Sequence, residues 1–170
     1  MELQTLSPEE INAILPRLAD ELKASYLCTA MAAWCRTNGY TYSKKFLKEQ
    51  AEEHEAHAKR WIRLLSDWKC KFTFPSIESA ESNFSGLKDL LEKLYQTDIN
   101  LLNSYQSTAK EMEDKGFMIV AEKMEKYVHI ENHISIKMVS ILTKMGLYTI
   151  VDPTYVNFDH QIIKRYDCIS

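Results

Sequence analysis

The sequence has few of the residues that interrupt regular structure, with only 4 glycines and 4 prolines among 170 residues. This scarcity argues against an all-β domain, which needs frequent turns, and against a disordered chain. Hydrophobic residues make up 45% of the chain and charged residues 26%. That balance favours long helices joined by few turns, and the length suits one domain with a sizeable core.

Long apolar runs and a strong excess of one charge are also missing. No apolar run approaches the roughly 18 residues of a membrane-spanning helix, so we expect no membrane partner. The net charge is -3, and no basic excess indicates binding to nucleic acid or to an anionic membrane surface. The amino-terminal stretch MELQTLSPEE lacks the basic-then-apolar layout of a signal peptide. We therefore expect a soluble, cytoplasmic protein.

Cysteine is scarce as well, and no two of the four cysteines form a CxxC pair. They are Cys28, Cys35, Cys70 and Cys168. Cys28 and Cys35 are seven residues apart on one predicted helix, which is too far for a disulfide within that helix. We interpret the cysteines as small, reduced, mostly buried side chains rather than as a redox or zinc site.

Apolar residues recur at three- and four-residue intervals along most of the chain, which predicts four long helices. The first begins after the capping residue Ser7, where Glu10 completes a capping box, and ends at Asn38-Gly39. The next three span about residues 43–68, 85–114 and 117–145, and Gly146 is predicted to end the fourth. A short helix is predicted in the tail, near residues 158–165.

Residues 70–84 show no helical period, and their length predicts the topology. The second helix would be about 38 Å long, and a loop of about 15 residues can span up to about 50 Å. The loop can therefore run along the bundle and start the third helix parallel to the second. We expect an all-α four-helix bundle of two antiparallel hairpins joined by a long crossover, within a single domain over residues 1–170 (bundle about 8–146, tail 147–170).

Ionisable residues interrupt the apolar stripes at about mid-height on all four predicted helices. They are Glu21, His54, His57, Asp98 and Glu131. A buried carboxylate is costly unless it is paired or coordinates a metal. Sets of carboxylates and imidazoles inside a helical bundle are the ligands of di-iron and di-manganese proteins. The pattern therefore predicts a metal site in the middle of the core.

Three segments of the sequence resemble the ferritin family, in particular bacterial non-haem ferritins. They are ELKASYLCTAMAAWCRTNGY, KKFLKEQAEEHEAHAKRW and LTKMG, and the resemblance covers roughly residues 10 to 146. It implies a ferritin-like bundle and a homo-oligomeric cage of 24 subunits. It also implies that ferrous iron is oxidised by oxygen at an intrasubunit di-iron centre and stored as a ferric mineral.

Matched to this family by position, Glu21 and His57 fall on the ligands of the first iron. Asp98 falls on a glutamate that holds the second iron, and Glu131 falls on a glutamate of the fourth helix. His54 stands where a glutamate bridges both irons. A neutral imidazole binds one metal through one nitrogen, so the natural bridge is absent. Because Asp98 is also one methylene shorter than glutamate, we expect a weakened or single-metal centre.

The sequence is compatible with several functions. The first is iron storage with ferroxidase activity, and the second is a ferritin-like structural or binding protein that has lost the oxidase. A third is a solitary di-metal oxidase that forms no cage. Haem is not expected, because the position of the methionine that ligates haem in related proteins is Glu55. His129 and His133, four residues apart on the predicted fourth helix, are interpreted as a solvated pair.

Overall fold

The computed structural model describes residues 5–166, which contain helices and no strand. The long helices are α1 (Pro8–Asn38), α2 (Thr41–Asp67), α3 (Leu87–Asp114) and α4 (Met118–Tyr148). The C-terminal helical segment consists of α5 (Val156–Phe158), a π-helical turn (Asp159–Ile163) and α6 (Lys164–Tyr166). The predicted all-α bundle with a short C-terminal helix is confirmed. Within residues 5–166, no helix has the length and apolar character needed to cross a membrane.

The ends of α1 follow from local sequence. The Ser7 hydroxyl accepts a hydrogen bond from the Glu10 backbone N–H at 3.2 Å, and the Glu10 carboxylate accepts one from the Ser7 N–H at 2.7 Å. This is the predicted capping box. At the other end, Gly39 adopts a left-handed conformation with φ of 84°, which glycine adopts at little cost. The chain then turns directly into α2.

Two apolar clusters at opposite ends of the bundle reveal how the helices run. One contains the C-terminal parts of α1 and α4 and the N-terminal parts of α2 and α3. The other contains the opposite ends of the same four helices. Helices α2 and α3 therefore start at the same end and run parallel, as predicted. Residues 70–84, which link them, have neither helix nor strand.

Helix α4 differs from the prediction at its C-terminal end. Gly146 was predicted to end the helix, but the helix continues to Tyr148, so this prediction is wrong. A glycine inside a helix costs only about 1 kcal/mol, which packing can offset. Met145, beside it, is fully buried in the apolar cluster. After the helix, the Asp152 N–H donates to the Tyr148 carbonyl at 2.8 Å.

The C-terminal helical segment is anchored to the N-terminal end of α2. Tyr40 precedes α2 and provides no side-chain cap. Instead, the Asp159 carboxylate accepts hydrogen bonds from the backbone N–H groups of Tyr42 and Ser43, at 3.1 and 2.7 Å. It also accepts one from the Ser43 hydroxyl. A carboxylate satisfies the free N–H groups at a helix start and interacts favourably with the helix dipole.

The cysteines within the described residues form no disulfide. Cys28 and Cys35 are buried in the bundle and Cys70 is half-buried. Burial raises the pKa of the Cys28 thiol, and the nearby carboxylates of Asp98 and Glu131 raise it further. A thiol in such surroundings stays protonated and unreactive. Cys168 lies outside the described residues.

Candidate metal centre

Four of the predicted ligands meet in the layer between the two apolar clusters. One ligand atom from each of Glu21, His54, His57 and Glu131 lies within 4.8 Å of the others. Glu21 comes from α1, the histidines from α2 and Glu131 from α4. The three-residue spacing of the histidines puts both rings on the inner face of α2. All four side chains are buried.

Glu21 is held in place by two other helices. Its Oε2 atom lies 2.8 Å from His54 Nδ1 on α2, and its Oε1 atom accepts a hydrogen bond from the Tyr105 hydroxyl on α3 at 2.7 Å. The same hydroxyl accepts a hydrogen bond from Trp61 Nε1 at 2.9 Å. His57 Nδ1 lies 3.4 Å from Glu21 Oε1. Glu21 is therefore oriented before any metal binds.

Other polar atoms of the centre have no partner among the described residues. Both carboxylate oxygens of Glu131 and His57 Nδ1 are buried without a hydrogen bond. These two groups face each other, with Glu131 Oε1 at 3.8 Å from His57 Nδ1. Buried polar groups are nearly always paired, and an unpaired one costs about 1–3 kcal/mol or more. A bound cation would satisfy both groups, so the residues present fit a metal ion.

Asp98 lies in the same region but outside the group of four. It comes from α3 and is 1% exposed, and neither of its carboxylate oxygens has a hydrogen-bond partner within residues 5–166. It does not approach the other ligands closely enough to join their group. Its role as a ligand of a second iron stays a prediction.

The two carboxyl groups without partners favour the protonated state. Burial raises the pKa of Glu131 to about 8, and the negative charge of Glu21 adds to this effect, while His54 opposes it. Burial likewise raises the pKa of Asp98 to about 7, against the opposing charge of His54. Both groups must lose a proton before they can bind a metal ion, so metal affinity depends on pH.

Glu21 and His54 show the opposite behaviour because they are paired. Burial alone would raise the pKa of Glu21, but the hydrogen bond with His54 and the nearby imidazole of His57 outweigh burial and lower this pKa to about 2. Burial alone would lower the pKa of His54, but the hydrogen bond and charge of Glu21 raise it to about 9. The metal-free centre therefore contains a buried carboxylate–imidazolium pair, in which the positive charge of His54 compensates the negative charge of Glu21.

Two of the residues that shape the centre were not predicted to do so. Tyr105 and Trp61 belong to the inward, largely apolar positions of their helices, for which the sequence predicts packing. Trp61 is four residues after His57, and Tyr105 is seven after Asp98, so the spacing placed both on the inward faces. The spacing did not reveal that their polar atoms form a chain of hydrogen bonds to Glu21.

The surface histidines His129 and His133 are not part of this centre. Both are exposed. The nearest carboxylate to His129 is that of Glu125, at 3.9 Å on the same helix. The geometry fits their interpretation as solvated side chains.

Comparisons with known proteins match the sequence and the fold of this chain. The family profile of the ferritin-like domain matches residues 11–147. A bacterial non-heme ferritin of Campylobacter jejuni is 28% identical over 129 residues, which cover 71% of this chain and 77% of that protein. One from Escherichia coli O157:H7 is 29% identical over 91 residues, and the match spans about half of each chain, 54% and 55%.

Among solved structures, an open-pore ferritin from the hyperthermophilic archaeon Archaeoglobus fulgidus superposes with a TM-score of 0.86. The superposition covers 94% of this chain and 96% of that one, at 15% sequence identity. At such low identity the likeness concerns the fold alone. The family profile, however, covers most of the chain, and the chain therefore belongs to the ferritin family.

Proposed function

We propose that this protein binds ferrous iron at the centre formed by Glu21, His57 and Glu131 and stores iron. One observation supports the proposal above all others: Glu131 and His57 Nδ1 are buried without partners directly beside Glu21. Carboxylate oxygens and imidazole nitrogen are suitable donors for ferrous iron. Membership of the ferritin family supports iron as the metal that is bound and stored.

We further propose that the centre binds one iron tightly rather than two. His54 provides no bridging carboxylate, and its Nδ1 atom is engaged by Glu21 at 2.8 Å. Asp98 lies outside the group of four. Two ferrous ions would bring four positive charges into a buried site with few carboxylates to balance them, which is unfavourable in a low-dielectric core.

Oxidation of iron by oxygen would then be slow. Reduction of dioxygen to hydrogen peroxide takes two electrons, and each ferrous ion supplies one. A centre that binds a single iron cannot supply both electrons from one subunit. We therefore place ferroxidase activity in this protein below that of a two-iron centre, with iron binding and storage as the main function.

Anaerobic titration of the purified, metal-free protein with ferrous iron tests the stoichiometry. We expect one tight site per chain. Two tight sites, together with rapid oxidation when oxygen is admitted, would contradict the single-iron proposal and indicate an ordinary ferroxidase. A Glu131→Gln variant is the matched control, because it removes one ligand charge with almost no change in side-chain volume.

A second candidate is a ferritin-like structural or binding protein that lacks the oxidase. The pairing of His54 with Glu21 favours it, because this pair neutralises the carboxylate without a metal. The two candidates differ in iron loading. A storage protein incubated with ferrous iron in air retains many iron atoms per chain after gel filtration, whereas the second candidate retains at most the tight site.

We propose that storage takes place in a cytoplasmic homo-oligomer, a cage of 24 subunits as the family resemblance implies. Apolar side chains exposed on the outer face of α4 and after it support burial against further copies. They are Ile136, Val139, Leu147, Ile150 and Val151. Light scattering tests this proposal, since a cage would have about twenty-four times the chain mass of 19.8 kDa. A monomer would favour a solitary oxidase.

A further inference from the structure

A basic groove lies between α2 and α4, beside the metal centre. Its volume is about 480 Å³, and its charged rim consists of Arg60 and Arg63 from α2 and Lys123 and Lys126 from α4. Asp67 is the only carboxylate among the residues that line it. The rim therefore has an excess of three positive charges, although the chain as a whole has a net charge of -3.

The four cations of this groove lack a directly contacting carboxylate among the described residues. None of them forms an ion pair within residues 5–166, whereas Lys59, Lys110 and Lys115 each contact a carboxylate elsewhere on the surface. Each pair in the groove is separated by three residues, so both cations of a helix project from the same face. Like charges gathered in this way repel one another, and a bound anion would relieve that repulsion.

The inner wall of the groove is aromatic and rigid. It includes Trp61 and Tyr127, whose ring centroids are 4.9 Å apart. Tyr127 also stacks on Tyr105 at 5.0 Å and contacts the His57 ring at 5.2 Å. Tyr127 therefore belongs to both the groove and the surroundings of the metal centre. The groove therefore has a wall of packed aromatic rings between the two helices.

We propose that this groove binds a small, multiply charged oxyanion of the phosphate class. Two guanidinium groups provide paired N–H donors that match phosphate oxygens, and two ammonium groups add charge. The positive region is short, because carboxylates flank it. Glu122 and Glu125 lie beside the lysines on α4, and Glu53 and Glu55 lie on the preceding turns of α2. An extended polyanion such as nucleic acid would meet these carboxylates, which favours a small ligand.

Calorimetric titration of the full-length, metal-free protein with inorganic phosphate, at constant ionic strength, tests the proposal without involving iron. We expect one saturable site per chain. The double variant Lys123→Gln/Lys126→Gln is expected to weaken phosphate binding at least tenfold, and Arg60→Gln/Arg63→Gln at least as much. All four residues are at the surface, so these variants are expected to keep the fold.

The matched control is Lys44→Gln/Lys48→Gln. This pair lies at the other end of α2, consists of one half-buried and one exposed lysine like the pair on α4, and removes the same charge. It is expected to change phosphate affinity less than twofold. Absence of a saturable site, or a control variant that weakens phosphate binding as much as Lys123→Gln/Lys126→Gln does, would overturn the proposal. Displacement of phosphate by a single-stranded oligonucleotide at lower concentration would also overturn it and assign the groove to nucleic acid.

Discussion

His54 Nδ1 lies 2.8 Å from Glu21 Oε2, so an imidazole occupies one side of the carboxylate that anchors the centre. The contact joins α1 to α2 in the middle of the core, where both side chains are fully buried. It compensates the charge of Glu21 in the absence of metal. The same contact removes one lone pair of Glu21 from metal coordination, so stability of the metal-free form and metal capacity compete at this position.

Replacement of His54 by glutamate is predicted to restore a bridging carboxylate. The variant is expected to bind two ferrous ions per chain instead of one and to oxidise iron at least tenfold faster in air. Its metal-free form is expected to unfold at lower temperature, because a fourth carboxyl group then lies near Glu21, Asp98 and Glu131 without a compensating cation. Anaerobic titration, oxidation followed by absorbance, and thermal unfolding measure these effects.

His54→Gln is the control for that substitution, because it removes the imidazole without adding a carboxylate. It is expected to lower the stability of the metal-free protein while leaving the number of tight iron sites at one. If His54→Glu leaves both iron stoichiometry and oxidation rate unchanged, the missing bridge does not limit this centre.

Glu131→Gln is predicted to raise the stability of the metal-free protein and to weaken metal binding. Above pH 8 the buried Glu131 carboxylate is charged and has no hydrogen-bond partner, so a neutral amide of the same shape is expected to stabilise the metal-free protein. We expect an increase of about 2–5 °C in melting temperature at pH 8.5. The same variant is expected to lose most of the stabilisation by ferrous iron under anaerobic conditions. A lower melting temperature without metal would contradict this assignment.

The stability of the metal-free protein is predicted to fall as the pH rises from 6 to 9. The pKa values of Asp98 and Glu131 are raised to about 7 and about 8. Their contribution to the free energy of unfolding is complete below the ordinary carboxyl pKa of about 4. It is lost as the pH rises through the raised pKa values. His54, with a pKa raised to about 9, loses its contribution last. We expect the melting temperature to fall by about 5 °C or more.

Glu21 changes the stability with the opposite sign: its pKa is lowered from 4.5 to about 2, so the stability that it contributes is lost as the pH falls through this range. Asp98→Asn is the control for the alkaline trend, because it removes one of the groups that titrate. The fall of the melting temperature between pH 6 and 9 is expected to become smaller in this variant. Metal binding is expected to release more protons at pH 6.5 than at pH 9. A melting temperature that rises steadily from pH 6 to 9 would refute the assigned pKa directions.

Tyr105→Phe is predicted to weaken both the fold and the centre. The substitution removes the hydroxyl between Trp61 Nε1 and Glu21 Oε1, which leaves a buried N–H without a partner at a cost of about 1–3 kcal/mol. Loss of a group that orients a ligand typically weakens metal affinity by about tenfold to a hundredfold. Denaturant unfolding and ferrous iron titration measure the two effects.

Tyr95→Phe provides the comparison on the same helix, since the half-buried Tyr95 packs against the other apolar cluster. It is expected to change iron affinity less than twofold. Equal effects of the two substitutions on iron affinity would mean that Tyr105 acts through packing alone and not through Glu21.

Periodicity and chain length were sufficient to predict the architecture. Ser7 and Glu10, which are close in sequence, form the cap of α1. The 15-residue segment without helical period is long enough to indicate a crossover, even without knowledge of its contacts. The interruptions at Glu21, His54, His57 and Glu131 were visible because buried ionisable residues are rare. Local patterns of this kind depend on neighbours in sequence, which is why they could be predicted.

Relations between distant segments could not be predicted in the same way. The hydrogen bond of Tyr105 to Glu21 joins residues 84 positions apart, and no local pattern distinguishes it from ordinary packing. The extension of α4 past Gly146 depends on the burial of Met145 against other helices. Asp98 has an inward position from spacing, but its distance from the other ligands depends on side-chain length and on the packing of α3.

The bonds of Asp159 to the start of α2 have a consequence for synthesis of the protein. The two ends of this contact are 116 positions apart, so the start of α2 lacks its cap until Asp159 has left the ribosome. Helix α2 holds both histidines of the centre. Nascent chains are therefore expected to order the first turn of α2 only after Asp159 has left the ribosome, and a premature stop before Asp159 would release a chain whose histidine helix is frayed at that turn.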